Sequence, residues 1–406
     1  MANIYDYLSW RGDLTLEERP FNDVDNLICS VFSYLNFTGI LGEGAATHMT
    51  IREAFDRLLS NLAAGETEGF CTLAKIEPRF ATLSAQSRRF GEAVLHDYVD
   101  VYDKERLLQF SAVTIDLTPD ISYVAFRGTD ATLVGWREDF MISFSVTAAQ
   151  EEAAAYLARV VDSLFAQGRR VYVGGHSKGG NLAAYAAVSL PSEQRDGLAC
   201  VWSNDGPGFA PEVEAENPTK VLGERYVRIL PAYSIVGMLF ERPGDTSIVC
   251  KSTATGVQQH DPTTWQVLAD GMDKARGLLP ECMVVDAAIA SWANELDFEQ
   301  RAMFTHEIFD ALEAGGAERL SEVAESPSKL QKVLVALGKI DAGAREPALQ
   351  LVNTVLNSSV GAARVAAVEV AGLAKNAFSK MTKAVRGARE GEHVPQALPA
   401  AQEQEE

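Results

Sequence analysis

The chain has 406 residues and a formal net charge of −20, which argues against nucleic acid or an anionic membrane surface as its main partner. Its five cysteines are odd in number and scattered, with no C-x-x-C pair, so we expect a reducing compartment and neither a disulfide framework nor a thiolate metal site. The first residues carry acidic side chains and no apolar signal segment, and no apolar run of about 18 residues follows. These features predict a cytoplasmic protein.

The predicted elements change in character along the chain. Residues 1–100 show apolar side chains at helical spacing and are predicted to be helical. Residues 105–265 alternate between β-rich and helical segments, which predicts an α/β fold with a mainly parallel sheet covered on both faces by helices. Within this zone the predicted strands are 110–117, 121–126, 170–173, 198–203, 224–230 and 247–251, and the predicted helices are 151–166 and 182–190. A Thr-Pro-Asp turn joins the first two strands into an antiparallel hairpin.

The C-terminal part is predicted to be helical from residue 280 to 390. We therefore expect an α/β domain with its N-terminal helices over 1–278, a helical extension over 279–390, and a disordered Pro/Gln/Glu-rich tail over 391–406. The segment 357–388 is basic within an acidic chain and carries apolar side chains at helical spacing. It is interpreted either as a weak membrane-surface contact or as a helix packed on the core or on a second subunit.

One pentapeptide carries the main functional signal. Gly175-His176-Ser177-Lys178-Gly179 fits the G-x-S-x-G pattern of a nucleophile elbow, with a short β-branched run before it and an alanine-rich helical segment after it. The elbow needs small residues around the serine because the chain turns sharply from strand to helix. The alternative is a glycine-lined turn without chemistry.

A nucleophilic serine needs a base, and the chain has six histidines. His260 follows the last predicted strand, where the order serine, acid, histidine places the base of an α/β-hydrolase. The side chain of His176 is expected to point away from the attack face of the serine. The remaining histidines are less suitable, because they lie on predicted helices or in the tail: His48, His96, His306 and His393.

The acid that orients the base is expected at a strand end between the serine and the histidine. Asp205 follows a predicted strand and precedes a glycine/proline turn, a place that suits a functional carboxylate at the carboxyl edge of a sheet. An ordinary Asp-Gly turn is the alternative reading of the same residues. Asp245, in a turn that looks exposed, and Glu241 are the other candidates.

A tetrahedral intermediate needs two backbone N–H donors. The residue after the nucleophile, Lys178, supplies one. Thr129, which follows a strand that ends in Arg127 and Gly128, is predicted to supply the other. A helix N-cap at Thr129 or Asp130 is the competing interpretation.

These residues together carry a resemblance. Phe-Arg-Gly-Thr at 126–129, followed by Trp136 and Asp139, and Gly-His-Ser-x-Gly-Gly-Asn-Leu-Ala at 175–183 resemble the class 3 lipases, a branch of the α/β-hydrolase fold. Most of the first 280 residues are similar to a bacterial family of Mbeg-like α/β-hydrolases. The motifs that carry this closer match are Tyr-Leu-x-Trp-Arg-Gly-Asp at 7–13, Asn-Asp-Gly-Pro-Gly-Phe at 204–209, Tyr-Ser-Ile-Val-Gly-Met-Leu at 233–239 and Gln-His-Asp-Pro-x-x-Trp at 259–265.

The resemblance implies a nucleophile at Ser177, a base at His260 and oxyanion donors at Thr129 and Lys178. It also exposes one departure. Class 3 lipases usually place their acid after the next strand, where this chain has Ser234, and a serine cannot replace a carboxylate. This is a second reason to assign the acid to Asp205.

The expected function is cleavage of a carboxylic ester, from a small-molecule or lipid substrate, by acyl transfer through a Ser-His-Asp triad. No metal or organic cofactor is implied. Two alternatives stay open, a thioesterase and a catalytically silent binding or scaffold protein on the same fold. The resemblance does not indicate a particular substrate.

Overall fold

The structure is a computed structural model. It describes residues 1–42, 47–62, 69–73, 76–130, 132–142, 145–209, 213, 215–240, 245–280, 282, 298–314 and 316, together with the isolated positions 328, 332, 333, 335 and 336.

The centre of the described part is a sheet of eight strands that lie side by side in chain order. The strands are β1 (Met49–Thr50), β2 (Val94–Asp103), β3 (Leu108–Thr118), β4 (Ile121–Phe126), β5 (Arg170–His176), β6 (Leu198–Asn204), β7 (Tyr226–Pro231) and β8 (Ser247–Cys250). Strands β1 to β4 pair antiparallel, and β4 to β8 pair parallel. The predicted hairpin is confirmed as β3–β4, with Thr118 paired to Ile121 at its turn.

Helices cover both faces of this sheet. They are α1 (Ile4–Arg11), α2 (Asp23–Phe32), α3 (Ile51–Ser60), α4 (Pro78–Gln86), α5 (Leu133–Met141), α6 (Ala148–Ala166), α7 (Lys178–Ser189), α8 (Ser192–Gly197), α9 (Pro218–Leu222) and α10 (Phe298–Glu313). Side chains of β4 alternate between two cores, because successive residues of a strand point to opposite faces. Tyr123 and Ala125 pack with the N-terminal helices, whereas Val124 and Phe126 pack with α6 and α7.

Four helices begin at capping boxes. The capping residues are Asn3, Asn22, Thr50 and Thr147, and each side chain accepts a backbone N–H from the first turn of its helix. Such a cap contributes about 1 kcal/mol to helix stability. In these four helices a polar residue therefore determines where the helix begins. The mostly parallel sheet with helices on both faces is the predicted α/β-hydrolase arrangement.

The prediction that residues 1–100 are helical throughout is wrong at two places. His96 lies on β2, and His48 lies directly before β1, neither of them on a helix. Pairing of β2 with β3 fixes this segment as a strand. That contact joins distant segments and overrides local helical spacing.

The C-terminal predictions are tested only in part. His306 lies on α10, as predicted, and the residues 357–388, the tail 391–406 and His393 lie outside the described residues. The boundary between 278 and 279 stays a prediction. Among the described helices, none combines the length and the apolar character needed to cross a bilayer.

Candidate active site

Ser177 lies at a sharp turn between β5 and α7. Its backbone has φ +58° and ψ −133°, a region that costs a non-glycine residue on the order of 1–3 kcal/mol. The two glycines of the motif make this turn possible. A Cβ on Gly175 would lie 2.3 Å from the backbone of Gly179, and a Cβ on Gly179 would lie 2.2 Å from the carbonyl oxygen of Phe126. The sequence therefore builds the predicted elbow through close backbone contacts.

The predicted nucleophile, base and acid lie in one hydrogen-bonded chain. His260 Nε2 is 2.9 Å from Ser177 Oγ, and His260 Nδ1 is 2.6 Å from Asp205 Oδ2. An ionised carboxylate can only accept, so Nδ1 carries the ring proton and Nε2 is left to accept from the serine hydroxyl. The Asp205 side chain is 1% exposed, whereas His260 is 32% exposed and faces the reacting side. This is the geometry that general-base activation of a serine requires.

Asp205 is held in place by two further donors. It directly follows β6 with φ +50°, and its Oδ1 accepts the Ser234 hydroxyl at 2.5 Å and the Gly237 N–H at 3.2 Å. A Cβ on Gly237 would lie 2.5 Å from Oδ1, so only glycine lets this amide approach. Ser234 stands where class 3 lipases usually have their acid. Here its hydroxyl donates to the carboxylate of Asp205, which follows the neighbouring strand β6. Sequence reasoning noted Ser234 as a departure and missed this contact.

The alternative acid Asp245 has partners of its own. Asp245 accepts the Thr219 hydroxyl at 2.6 Å and lies 3.8 Å from the guanidinium of Arg228. Its side chain is only 11% exposed, so the expectation of an exposed carboxylate is wrong for Asp245, which these two partners hold. Glu241 lies outside the described residues.

His176 has a role that sequence reasoning did not find. Its ring is buried, and burial lowers its pKa to about 3, so it is neutral. Nε2 donates to the backbone carbonyl of His260 at 2.8 Å, and the Tyr34 hydroxyl lies 3.1 Å from Nδ1. Trp265 donates from Nε1 to the Gln259 carbonyl at 2.7 Å. These hydrogen bonds hold the loop that carries His260, and the two ring nitrogens of His176 are directed to Tyr34 and His260.

The predicted oxyanion residues lie in two segments, Thr129 in the loop after β4 and Lys178 in the elbow itself. Lys178 is the first residue of α7, where a backbone N–H has no acceptor within its own helix. The Thr129 hydroxyl donates to Asp139 Oδ2 at 2.5 Å. Burial raises the pKa of Asp139 to about 6, and the Lys178 ammonium opposes this rise.

The competing interpretation of Thr129 and Asp130 as a helix N-cap is wrong. The hydroxyl of Thr132 accepts the Gly135 N–H at 3.1 Å, which makes Thr132 the capping side chain of α5. Asp130 instead accepts the backbone N–H of Thr132 at 2.8 Å. Thr129 is not adjacent to Leu133, the first residue of α5, and its hydroxyl donates to Asp139.

Within the described ranges, no group of three or more His, Cys, Asp or Glu side chains is arranged to hold a metal ion.

The chain is similar to a protein family and to a solved lipase structure. The model of the Mbeg1-like family matches residues 84–310, which is more than half of the chain and includes Ser177, Asp205 and His260. No curated protein matches. Among solved structures, a crystal structure of M37 lipase is 19% identical and covers 52% of this chain and 68% of its own, with a TM-score of 0.30.

Proposed function

The chain belongs to the Mbeg1-like family, and from its site we propose that it is a serine hydrolase that cleaves carboxylic esters through an acyl-enzyme. The observation that carries the proposal is the hydrogen-bonded chain from Asp205 through His260 to Ser177, whose nucleophile lies on a strained elbow.

In the first half-reaction, Ser177 Oγ attacks the ester carbonyl carbon while His260 Nε2 takes the hydroxyl proton. The carbonyl oxygen becomes an oxyanion, which the backbone N–H groups of Thr129 and Lys178 stabilise together with the N-terminus of α7. The bond to the alkoxide then breaks, and the imidazolium gives its proton to the leaving oxygen.

In the second half-reaction, water replaces the alcohol. His260 takes a proton from water, the hydroxide attacks the acyl carbon, and the Ser177–acyl bond breaks as the imidazolium returns its proton to Oγ. Asp205 stays ionised throughout and stabilises each imidazolium. Its two donors, Ser234 and Gly237, hold the carboxylate through its other oxygen, Oδ1.

Two alternatives use the same fold. A thioester would follow the same steps with a thiolate leaving group, so substrate comparison must separate the two. The second alternative is a catalytically silent scaffold, because the usual position of the acid after β7 holds Ser234. The hydrogen bond between His260 and Asp205, which follows β6, supports the enzyme over the scaffold.

The proposal is tested with p-nitrophenyl acetate, butyrate, octanoate and palmitate and with the matching thioesters. Ser177→Ala should lower kcat/KM by on the order of 10⁴ or more while the protein stays folded. Ser189→Ala, an exposed serine at the far end of the same helix, is the matched control and should be as active as the wild type. Undiminished hydrolysis by Ser177→Ala would contradict the proposal, and faster turnover of thioesters would change the substrate class.

A further inference from the structure

Lys178 has a side chain that the elbow does not need. An elbow uses only the backbone N–H of the residue after the nucleophile. The Lys178 side chain is nevertheless 1% exposed and extends into the protein beneath the site. A buried ammonium is costly unless it is fully paired, so its retention next to the nucleophile calls for an explanation.

The ammonium of Lys178 has three acceptors for its three protons. Nζ lies 2.8 Å from Glu138 Oε2, 2.9 Å from the Gln109 carbonyl oxygen and 2.8 Å from Gln109 Oε1. Glu138, also 1% exposed, uses its Oε1 to accept the Ala149 N–H at 2.9 Å. The pair therefore ties the start of α7 to β3, α5 and the start of α6.

The next residue of α5 holds the other proposed oxyanion donor. Asp139 accepts the Thr129 hydroxyl, and Glu138 accepts the Lys178 ammonium. Adjacent carboxylates on one helix are thus bonded to the two residues whose amides would hold the oxyanion. The Lys178 ammonium also lowers the pKa of Asp139, which favours the ionised form that accepts from Thr129.

We propose that the Lys178–Glu138 ion pair is a positioning device that sets the separation of the two oxyanion amides. The inference rests on the proposed ester hydrolysis. Stability alone does not require this pair, because replacing a buried ion pair by neutral residues of similar size is often neutral or stabilising. A misplaced amide weakens transition-state binding and leaves substrate binding nearly unchanged, so the effect falls on kcat.

The test is the neutral double variant Lys178→Met/Glu138→Gln, with Glu138→Gln alone as a milder second variant. kcat and KM are measured with p-nitrophenyl butyrate, and kcat is expressed per serine labelled by a fluorophosphonate, which removes any unfolded fraction. Inhibition by butylboronic acid, which forms a tetrahedral adduct on the serine, reports binding at the oxyanion site. The control is Arg89→Met/Asp25→Asn, which neutralises a buried pair in the N-terminal layer.

The double variant should lose on the order of tenfold to a hundredfold in kcat, less than the 10²–10³ lost when a donor is removed outright. KM should change by less than about threefold, and boronate affinity should fall by the same factor as kcat/KM. Glu138→Gln should show a smaller loss in the same direction, and the control should keep its kcat.

Three results would overturn the inference alone: a double variant with wild-type kcat, a change confined to KM, or an equal loss of kcat in the control. A wild-type protein without turnover or labelling would instead overturn the proposed function, and the inference with it.

Discussion

Two buried histidines, His176 at the end of the central strand β5 and His96 on β2 in the antiparallel part of the sheet, have opposite electrostatic character. The partners of His176 are a tyrosine hydroxyl and a backbone carbonyl, and burial lowers its pKa to about 3. Burial would lower the pKa of His96 too, but the carboxylates of Asp116 and Asp97 outweigh it and raise the pKa to about 9. The partners of a buried imidazole, more than burial itself, decide its charge.

This difference separates two roles. Changes around His176 and Asp205 should alter turnover. The effect of His176 on the pH dependence of stability should be confined to acid, below the unfolded pKa of about 6.5, because the buried imidazole stays neutral there. Changes around His96 should instead alter stability up to about pH 9 and leave turnover unchanged.

The largest of these effects is expected at the acid. Asp205→Asn keeps the size of the side chain but removes the charge that stabilises the His260 imidazolium, so kcat/KM should fall by on the order of 10²–10⁴. Ester hydrolysis and a thermal melt measure activity and stability in parallel. Asp245→Asn is the matched control and should change kcat/KM by less than about tenfold. Full activity in Asp205→Asn together with a loss in Asp245→Asn would assign the acid to Asp245 instead.

His96 should contribute stability that depends on pH. Its folded pKa lies above the unfolded value of about 6.5, so the contribution is complete below that pH and is lost as the pH rises through about 9. The free energy of unfolding of wild type should exceed that of His96→Gln by at most about 3 kcal/mol in mild acid, and the excess should vanish near pH 10. Urea denaturation at both pH values checks this.

The rate of ester hydrolysis is the control measurement for His96→Gln. His96→Gln should hydrolyse esters at the wild-type rate, because β2 lies three strands away from β5. A stability difference that stays constant with pH, or a large loss of turnover, would show that the two histidines do not have separate roles.

His176 should matter for turnover. His176→Ala removes the donor to the His260 carbonyl, which loosens the loop that carries the base, whereas the Tyr34 hydroxyl keeps its bond to the backbone carbonyl of residue 176 at 3.0 Å. We expect kcat to fall by about tenfold, with a smaller loss in His176→Gln, whose amide can still donate to that carbonyl. Steady-state kinetics measure both. Equal losses in the two variants would argue against the hydrogen bond as the cause.

The smallest effect is expected at Ser234. Ser234→Ala removes one of two donors to Asp205 Oδ1 and should lower kcat by a few-fold, in line with about 1 kcal/mol for one hydrogen bond. Ser122, whose hydroxyl donates to Asp116 at 2.6 Å near His96, is a matched control from the other region. Ser122→Ala should leave kcat unchanged. An equal fall in both variants would contradict the separation.

The parts of the site that could be predicted are those marked by a short local sequence pattern. The elbow glycines, the turn after β6 at Asp205 and the loop of His260 each lie within a few residues of a strand end, and their chain order is that of the fold. What escaped prediction joins distant segments. Tyr34 and His176 are 142 residues apart, and no local pattern in either segment marks that contact. His96 is a second example. Local sequence predicted a helix there, whereas the pairing of β2 with the distant β3 makes it a strand residue.

The central claim is that Ser177 is an activated nucleophile. The most direct test is reaction of the full-length wild-type protein with a fluorophosphonate, followed by proteolysis and mass mapping of the modified peptide. An ordinary serine hydroxyl does not react at neutral pH, whereas one hydrogen-bonded to a neutral imidazole does. The account predicts one adduct on Ser177, absent from Ser177→Ala. An unmodified protein, or an adduct on another residue that persists in Ser177→Ala, would contradict it.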